Sequence, residues 1–574
     1  MQQERRWLSL PAGTDSPLPV DCLAIVLDGG SVEDPPPRIR DLPVGVHSLI
    51  GRDGRICVDL GITPERLQRP ERSWAWSLFV AVMRTATSWG AGDFCDLGQF
   101  CSWARRTGAR YVFLGPTSAG HVIPPVHPSP YSPSSRLFHQ LIHLCLPAIP
   151  GWESLDPSLR RVAVTAQNLT DADTVDLDAV LAVKLPVLQE LFRRTADRPS
   201  MSDGEGLAAF RADMGAELRL FALYCASETQ HGQDWRHWPA ELRTPSRALT
   251  SPWTCRNEEL ISFFEWCQWQ LDQQFSAASA HGVGIVRDLP VGTPLTSADA
   301  WMWQDCLAAG EELGAPPDYF SPAGHRWDLV PYHPRALAAV GFHPFRRTLQ
   351  AALRHAAGVR IDHALGLIRQ YWIPSGRAPS EGRYVAQHSE ALMDIIAIEA
   401  HRRRAFVVSE ELGTVPPEGT KVFRERDFLD FAAVIAEGFD LRSPGGVVAA
   451  STHDLPTIAG CWTGEDCRTL VAAGIPVDHG FSVRARERLR RHSTAPEHAP
   501  ADLVALRLYS SLAASDAMVV VLSVEDALGM VARPNAPGST PAQWPSFRRR
   551  LPALAEIDQS LMLHQMIAAM GTSR

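Results

Sequence analysis

No part of the sequence carries a long run of charge of one sign. Its 574 residues include 55 Lys and Arg and 64 Asp and Glu, giving a formal net charge of −9, and the basic residues are scattered along the chain. The densest basic clusters, at 401–404 and 548–550, are short and are typical of solvated helix faces. Because nucleic-acid binding needs a concentrated positive surface, we do not expect a nucleic-acid partner.

The chain also contains no long apolar run. No window approaches the roughly 20 apolar residues that a membrane-spanning helix needs. Residues 1–17 contain no apolar stretch of signal-peptide length. The sequence therefore predicts a cytoplasmic protein without a membrane partner.

Metal-binding and disulfide patterns are missing as well. None of the eleven cysteines forms a C-x-x-C pair, and the spacing between Cys95, Cys101, Cys255, Cys267 and Cys306 is irregular. No loop resembles an EF-hand, and no cluster of His and Cys suggests a metal ion. We expect buried free thiols, no disulfide framework and no metal site.

Length and composition indicate a large protein with more than one domain. With 45% hydrophobic residues the chain can bury an extensive core, and 574 residues exceed one ordinary domain. Residues 1–70 are rich in Pro, Gly and Asp and contain short apolar runs such as 22–27, a pattern typical of small strands joined by turns. We predict a small β-rich N-terminal domain at 1–70 and a larger domain at 71–574.

Beyond residue 75, short apolar runs alternate with long helical stretches, and we find no short internal repeat. The predicted strands are 77–83, 110–114, 284–287, 358–361, 405–409 and 446–450. Between about 150 and 280, amphipathic segments at 178–196 and 258–281 predict a helical insertion. Apolar strands that alternate with helices indicate a parallel sheet buried on both faces. The predicted fold is α/β, a (β/α)8 TIM barrel with helical insertions.

Three carboxylates directly follow predicted strands. Asp362 lies in GVRIDHALG, Glu410 in AFVVSEELGT and Asp454 in VVAASTHDLPT, each where a barrel strand would reach its carboxyl-terminal face. One such residue alone is readily explained as a helix cap or as the partner of an arginine. Three together, two of them beside a histidine, are more typical of an active site.

The chemistry that such a set supports is cleavage of a glycosidic bond. One carboxylate attacks the anomeric carbon, while a protonated carboxyl about 5 Å away in a retaining enzyme gives a proton to the leaving oxygen. The nucleophile needs a nearby cation to stay ionised, and Arg360 lies two residues before Asp362 on the same face of its strand. The acid needs a raised pKa, which a neighbouring carboxylate can provide.

The segments around these residues resemble a known family. RIDH at 360–363, EELGTVP at 410–416 and STHDLPT at 451–457 are similar, in order and spacing, to the three signature segments of glycoside hydrolase family 77, the amylomaltases and plant disproportionating enzymes. Further similar segments between about 75 and 550 are HPSPYSPSSR at 127–136, RDLPVG at 287–292, GAPPDYFSPAGHRW at 314–327, YWIPSG at 371–376 and EDALGMVARPNAPGS at 525–539.

The resemblance implies a 4-α-glucanotransferase that moves segments of α-1,4-glucan chains through a covalent glycosyl-enzyme. Its donors would be α-1,4-glucans, and its acceptors glucose or maltodextrins. No cofactor is expected, because carboxyl groups supply both the charge and the proton. No feature of the sequence indicates an oligomeric state.

Carried over position by position, the resemblance implies three catalytic residues: Asp362 as nucleophile, Glu410 as general acid/base, and Asp454 as the carboxylate that holds the sugar hydroxyls and stabilises the oxocarbenium-like state. It also implies substrate contacts from Arg360, His363, His453, Asp288, Tyr131, Tyr319, Phe320, Trp327 and Asn535. Structural alternatives are open for His453 as a core histidine, for Asp288 as a helix cap or the partner of Arg287, and for the aromatic residues as core. The Pro- and Gly-rich surroundings of the aromatic residues indicate loops, which favours binding.

Three positions depart from the family pattern. His325 stands where a glutamine is usual, Glu411 where an aspartate usually follows the acid/base, and GPTS at 115–118 replaces a common Asn-Pro-Leu-His run. None of these changes removes a catalytic carboxylate. They leave acceptor preference and donor length open, and His325 would add a pH dependence near neutrality.

Two other functions stay open at this point. An α-amylase-like hydrolase uses a similar set of Asp, Glu and Asp, although the segments at 127–136 and 314–327 disfavour it. A non-catalytic glucan-binding relative is the second alternative, and the three intact carboxylates disfavour it.

Overall fold

The computed structural model describes residues 5–20, 22–197, 204–317, 324–411, 419–436 and 445–571. The chain divides into two compact units. The first consists of the chain up to Glu71 together with Val286–Val291 and Trp303–Phe431, and the second of Arg72–Ile285, Gly292–Met302 and the chain from Ala432 onward.

A five-stranded sheet forms the N-terminal part of the first unit. Its strands are β1 (Arg6–Pro11), β2 (Ala24–Val26), β3 (Val32–Glu33), β4 (Gly45–Ile50) and β5 (Ile56–Thr63). The order is β1-β5-β4-β2-β3, with β1 parallel to β5 and the other pairs antiparallel. Alternate apolar residues point to one face and are fully buried there, among them Ile25, Leu49 and Leu60. The predicted β-rich N-terminal region is confirmed.

The strands that follow form the barrel and two smaller sheets. In chain order they are β6 (Ser73–Leu78), β7 (Tyr111–Leu114), β8 (Ser118–Ala119), β9 (Ser135–His139), β10 (Gly284–Leu289), β11 (Glu311–Ala315), β12 (His325–Arg326), β13 (Gly358–Ile361), β14 (Arg369–Pro374), β15 (Arg383–Ala386), β16 (Phe406–Glu410), β17 (Leu429–Ala433), β18 (Val447–Ala449) and β19 (Val519–Ser523). Eight of these strands close into a barrel in the order β10-β13-β16-β17-β18-β19-β6-β7.

The barrel strands run parallel and are buried along nearly their whole length. The register places β10 beside β13 and β13 beside β16 in the first unit, and β18 beside β19 and β19 beside β6 in the second. Strands such as β13 and β18 are buried at every position, because helices cover the outer face of a parallel barrel. The predicted (β/α)8 barrel is confirmed.

Helices separate most of these strands along the chain. Those up to residue 302 are α1 (Phe94–Arg106), α2 (Pro157–Asp171), α3 (Leu177–Asp197), α4 (Gly204–Met214), α5 (Ala216–His231), α6 (Pro245–Thr250), α7 (Pro252–Arg256), α8 (Glu258–Ser279) and α9 (Ala298–Met302). The later ones are α10 (Pro334–Ala339), α11 (His343–Ala352), α12 (Ser389–Arg403), α13 (Gly419–Arg424), α14 (Ile458–Thr463), α15 (Glu465–Ala472), α16 (His479–Ser493), α17 (Ala501–Ala513), α18 (Val524–Ala527), α19 (Leu554–Ile557) and α20 (Leu561–Gly571).

Helices α2 to α8 form the helical insertion that the sequence predicts, and α3 and α8 cover its two amphipathic segments within two residues at each end. None of the helices in the described part of the chain is long and apolar enough to cross a membrane.

Five of the six predicted barrel strands agree with the structure to within two residues, and one is displaced. The predicted strand 77–83 is wrong in position, because β6 ends at Leu78 and Val80–Val82 form a 3-10 helix. The apolar character of the chain continues through both segments, so hydrophobicity alone does not mark where the strand ends. The sequence analysis also missed β17 and β19.

The expectation that the cysteines are free thiols is wrong for one pair. Cys95, in the first turn of α1, forms a disulfide with Cys145, fifty residues later in the chain, with a Cα–Cα distance of 5.8 Å. The other cysteines in the described ranges form no disulfide. The spacing of cysteines along the sequence does not predict this disulfide, because only the folded chain brings Cys95 and Cys145 close together.

Candidate active site

Arg360 bridges two carboxylates in the first unit. Its Nη1 donates to both carboxylate oxygens of Asp288 at 2.7 Å and to Oδ1 of Asp362 at 3.0 Å. Arg360 lies on β13 directly opposite Asp288 on β10, and Asp362 follows the last residue of β13. The guanidinium is buried over the ring of Phe431, 5.3 Å from its centroid, so the ion pairs lie in a poorly solvated place. A nearby cation of this kind favours the ionised form of a carboxyl group.

Glu410 is the last residue of β16, the barrel strand beside β13. Its Oε2 accepts a hydrogen bond of 2.8 Å from the backbone N–H of His363, the residue that follows Asp362. Glu410 is buried, so this contact orients a carboxyl group with restricted access to water. The structure thus brings Asp288, Arg360, Asp362 and Glu410 together in one unit.

His363 has an unusual backbone conformation. Its φ is +46°, in the left-handed region that side chains other than glycine rarely occupy. Burial lowers the pKa of the His363 imidazole to about 4, so the ring is neutral at neutral pH. The ring of Trp327 meets it edge-on, with centroids 5.1 Å apart.

Trp327 follows β12 in a four-stranded antiparallel sheet with the order β12-β11-β14-β15. Its backbone N–H donates to the carbonyl of Leu313 at 3.0 Å, and its ring packs against a cluster that contains Leu313 and Trp372. The predicted binding residues Tyr319 and Phe320 lie outside the described residues. His325, on β12, is half-buried and pairs with Ala315 in the sheet.

Glu411, the position that departs from the family pattern, is 9% exposed. Its Oε1 accepts a hydrogen bond of 2.7 Å from the hydroxyl of Ser409. Burial raises the pKa of Glu411 to about 7, and the nearby Asp430 carboxylate adds to the rise. The residue after Glu410 is therefore a carboxyl group that changes charge near neutrality.

An aromatic cluster in the second unit holds Tyr131 and His453. The two rings stack with centroids 4.6 Å apart at 13°, and the Tyr131 hydroxyl lies 3.4 Å from Nδ1 of His453. Phe79 and Phe547 contact both rings at centroid distances between 5.6 and 6.4 Å. The rings of Phe79 and Phe547 lie 5.1 Å apart. His453 is therefore not an isolated core residue but one side of a stacked pair.

Asp454 lies in the loop between β18 and α14, in the second unit. Its Oδ1 accepts a hydrogen bond of 2.6 Å from Nδ2 of Asn535, and the Nε2 of His453 lies 3.5 Å from the same oxygen. The side chain of Asp454 is 47% exposed, so a ligand can reach it. The structure brings Tyr131, His453, Asp454 and Asn535 together, although they come from distant parts of the sequence.

Sequence reasoning missed Phe79 and Phe547. Phe79 lay within the misplaced strand 77–83, and no sequence pattern points to Phe547, which has a φ of +57°. Both line a solvent-open pocket in the second unit, together with His127, Ser129 and Gln140. The lining combines aromatic and proline surfaces with hydroxyl and amide groups, a mixture that is typical of ligand-binding pockets.

Within the described ranges, the group of side chains with metal-ligand spacing is Asp93, Cys95 and Cys145. The two sulfurs are bonded to each other, and Oδ1 of Asp93 accepts hydrogen bonds from the backbone of Cys95 and Asp96 as the cap of α1. These three residues therefore do not fit a metal ion in this state, since their ligand atoms already have bonds or hydrogen bonds.

The chain is similar to known proteins over most of its length. The profile of the 4-alpha-glucanotransferase family matches residues 78–554. The 4-alpha-glucanotransferase of Mycobacterium tuberculosis is 34% identical over 557 residues, covering 88% of this chain and 76% of that protein. The 4-alpha-glucanotransferase of Thermus thermophilus is 30% identical over 508 residues, covering 81% of this chain and 94% of that protein.

Solved structures show the same architecture. Amylomaltase from Corynebacterium glutamicum matches with a TM-score of 0.85 at 25% identity, covering 99% of this chain and 90% of that one. Amylomaltase from Streptococcus agalactiae, in complex with acarbose, matches the fold with a TM-score of 0.73 at 15% identity, covering 88% and 99%. The resemblance found in the sequence is thereby confirmed, and the chain belongs to glycoside hydrolase family 77 as a glycosyltransferase of the 4-alpha-glucanotransferase kind.

Proposed function

We propose that this glucanotransferase works by a retaining double displacement, with Asp362 as nucleophile and Glu410 as general acid/base. The observation that carries the proposal is the geometry at the ends of β13 and β16. Arg360 contacts Asp362 and Asp288, and the N–H of His363 holds Glu410 beside them. Two carboxyl groups on neighbouring barrel strands are what a retaining cycle needs.

In the first step a carboxylate oxygen of Asp362 forms a bond to the anomeric carbon, and the bond from that carbon to the leaving glucan oxygen breaks. Glu410 gives its proton to that oxygen. In the second step a sugar 4-hydroxyl loses its proton to Glu410, its oxygen bonds to the anomeric carbon, and the ester bond to Asp362 breaks. Two inversions restore the α-configuration.

The other predicted residues are proposed to bind substrate. Asp454, held by Asn535, is also proposed as the third catalytic carboxylate, because it accepts hydrogen bonds from sugar hydroxyls and stabilises the oxocarbenium-like state. The stacked pair of Tyr131 and His453 offers an aromatic face with polar edges. Asp288, Arg360 and His363 are proposed to make similar polar contacts with the sugar. Trp327, Tyr319 and Phe320 are proposed to bind glucose rings through their aromatic faces.

We propose α-1,4-glucans as donors and glucose or maltodextrins as acceptors, with no cofactor, because the carboxyl groups supply both charge and proton. We also propose that the enzyme works in the cytoplasm, where most cysteines stay reduced. Transfer competes with hydrolysis of the glycosyl-enzyme, so exclusion of water is as necessary as acceptor binding.

The test is incubation of the purified protein with maltotriose, followed by chromatography of the products. A ladder of maltodextrins longer than maltotriose, together with free glucose, is the expected result. Maltose and glucose alone would identify an α-amylase-like hydrolase. Unchanged maltotriose, also with longer donors and added glucose, would identify a non-catalytic glucan-binding protein.

A further inference from the structure

The carboxylate of Asp454 is not held in place by burial. Its side chain is 47% exposed, and the residue lies in the irregular loop that joins β18 to α14. Asn535 donates a hydrogen bond of 2.6 Å to one of its oxygens, but an exposed side chain on a loop keeps its direction only if the main chain beneath it is fixed as well. The direction of this carboxylate therefore depends on what fixes the main chain of the loop, in addition to Asn535.

The segment 531–535 fixes this loop at several points. The carbonyl of Asp454 accepts a hydrogen bond of 3.0 Å from Nη1 of Arg533, and the carbonyl of His453 accepts one of 3.1 Å from the N–H of Asn535. Further along the loop, the hydroxyl of Thr457 donates to the carbonyl of Val531 at 3.1 Å. The two segments are thus tied together along the length of the turn.

Arg533 is itself fixed by a buried carboxylate. Its Nε donates to Oδ1 of Asp466 at 2.7 Å, and its Nη2 contacts Oδ2 of the same residue, which makes a two-point pair. The side chains of Arg533 and Asp466 are only 12% and 4% exposed. Two parallel hydrogen bonds between a planar guanidinium and a carboxylate restrict both position and rotation, which a single contact does not.

Asp466 is in turn placed by its helix. It lies in the first turn of α15, where the helix dipole favours a negative charge. Gly460 lies on α14, the helix before α15, and its lack of a side chain lets α14 approach the segment 531–535 closely. A Cβ at Gly460 would lie 2.4 Å from the carbonyl oxygen of Val531 and 3.2 Å from Cβ of Asp466. The chain of contacts from α15 to the main chain of Asp454 is therefore tightly packed.

We propose that Arg533, held by Asp466, is a positioning residue that sets the main chain of Asp454 and thereby directs its carboxylate towards the sugar. This inference rests on the proposed role of Asp454 in binding the reacting sugar. In this role Arg533 does not touch substrate. It acts through one hydrogen bond to the carbonyl of Asp454, and a misplacement of about 1 Å at such a group costs on the order of 100-fold in rate.

The variants that test the proposal are Arg533→Met, Arg533→Lys and Asp466→Asn. Arg468→Met is the matched control, because Arg468 forms an ion pair with Glu465 on the same helix but is 65% exposed. The activity measured is maltotriose disproportionation, and the free energy of unfolding is measured in parallel by denaturant titration. For Arg533→Met we expect kcat to fall about 100-fold with KM within about threefold of the parent. Arg468→Met should match the parent.

The decisive measurement is a double-mutant cycle with Asp454→Asn, using an activated maltosyl fluoride donor so that slow variants stay measurable. If Arg533 acts through Asp454, Arg533→Met lowers kcat only slightly in a protein that already carries Asp454→Asn. The loss of kcat in the double variant is then much smaller than the product of the two single-variant losses. Full additivity would overturn the proposal. The same conclusion would follow if the loss of kcat only mirrored a loss of folded protein.

The design separates this proposal from the proposed function. If Asp454→Asn by itself keeps the parental turnover, the role of Asp454 is wrong and the positioning role of Arg533 fails with it. If Asp454→Asn is slow and Arg533→Met is additive to it, only the positioning role is refuted. Should Arg533→Met fail to fold, Arg533→Lys and Asp466→Asn enter the same cycle, because each keeps a side chain of similar size and polarity.

Discussion

The backbone N–H of His363 donates a hydrogen bond to Oε2 of Glu410 across 2.8 Å. It joins the residue that follows Asp362, just past the end of β13, to the last residue of β16, and these two strands are parallel neighbours. The proposed nucleophile, Asp362, precedes His363 by one residue. The left-handed backbone of His363, with φ at +46°, thus links the positions of the two carboxyl groups of the proposed cycle.

Replacing Asp362 by Asn should abolish glucan transfer and leave oligosaccharide binding largely intact. The amide has the shape of the carboxyl group but cannot form the glycosyl ester, so kcat should fall by at least about 10⁴-fold. Turnover is measured with maltotriose, and binding to the inactive variant by calorimetry with the same oligosaccharide. Asp502→Asn, on the exposed face of α17, is the control. Near-normal turnover of Asp362→Asn would refute the nucleophile assignment.

Replacing Glu410 by Gln should separate the two steps of the cycle. Without a proton donor, a glucan leaving group departs slowly, whereas fluoride needs no proton and still leaves. The variant should therefore accumulate a glycosyl-enzyme from a maltosyl fluoride donor, which intact-protein mass spectrometry detects as an added sugar mass. Absence of any adduct, with the parent turning over the same donor, would count against a retaining cycle.

Glu411→Gln should change how stability depends on pH. Burial raises the pKa of Glu411 to about 7 in the folded protein, above its ordinary value of 4.5. A raised pKa stabilises the fold at pH values below 4.5, and this contribution is lost as pH rises through 7. A glutamine keeps the neutral form at every pH, so the variant should gain up to about 3 kcal/mol relative to the parent between pH 4.5 and 8.

The free energy of unfolding at pH 5 and pH 8 measures this difference. Glu497→Gln, on an exposed loop residue, provides the control and should show no such pH-dependent gain. If the free energies of unfolding of the parent and Glu411→Gln differ by the same amount at both pH values, Glu411 is not a buried group with a raised pKa.

Lys184→Met should destabilise the second unit strongly. The Nζ of Lys184 is fully buried and donates to the carbonyls of Ile142 and Leu144 at 2.5 and 2.8 Å. Its charge also lies near the buried carboxyl groups of Asp93 and Asp96, and burial raises the pKa of Asp93 to about 7. Removing the cation takes this donor from the carbonyls of Ile142 and Leu144 and the nearby positive charge from the two carboxyl groups, at a cost of about 3–5 kcal/mol.

Denaturant titration of Lys184→Met checks that cost. The matched control is Lys421→Met, because Lys421 is the other lysine of the sequence and is 78% exposed. Its loss should change the free energy of unfolding by less than about 0.5 kcal/mol. Equal stabilities of the two variants would show that Lys184 does not hold this buried cluster.

Two substitutions at Tyr131 should distinguish stacking from hydrogen bonding. Tyr131→Phe keeps the ring that stacks on His453 and loses the hydroxyl, which lies 3.4 Å from Nδ1 of His453, so kcat/KM should fall by less than about fivefold. Tyr131→Ala removes the ring, and KM for maltotriose should rise on the order of tenfold. Tyr384→Ala, at an exposed ring of the first unit, is the control. Similar kinetics for both Tyr131 variants would refute a stacking role.

The barrel and the carboxylates at its strand ends could be predicted from local sequence. Strands β13 and β16 are short and mainly apolar, and Asp362 and Glu410 stand where their apolar residues end. Strands that helices cover on the outer face are largely apolar, so a carboxylate directly after such a run marks the strand end in these two cases without knowledge of the neighbouring strands. The motif resemblance then pointed to the family. The boundary of an N-terminal domain near residue 70 and the residue roles stay predictions.

Only the tertiary structure decided which residues far apart in the chain contact each other. No sequence pattern predicts the stack of Tyr131 on His453 or the ion pair of Arg533 and Asp466. The disulfide between Cys95 and Cys145 was not expected for the same reason. The end of β6 at Leu78 was misplaced because apolar residues continue into the following 3-10 helix. Apolar periodicity reports the burial of an element, whereas the partner of a polar side chain is set by how the elements pack together.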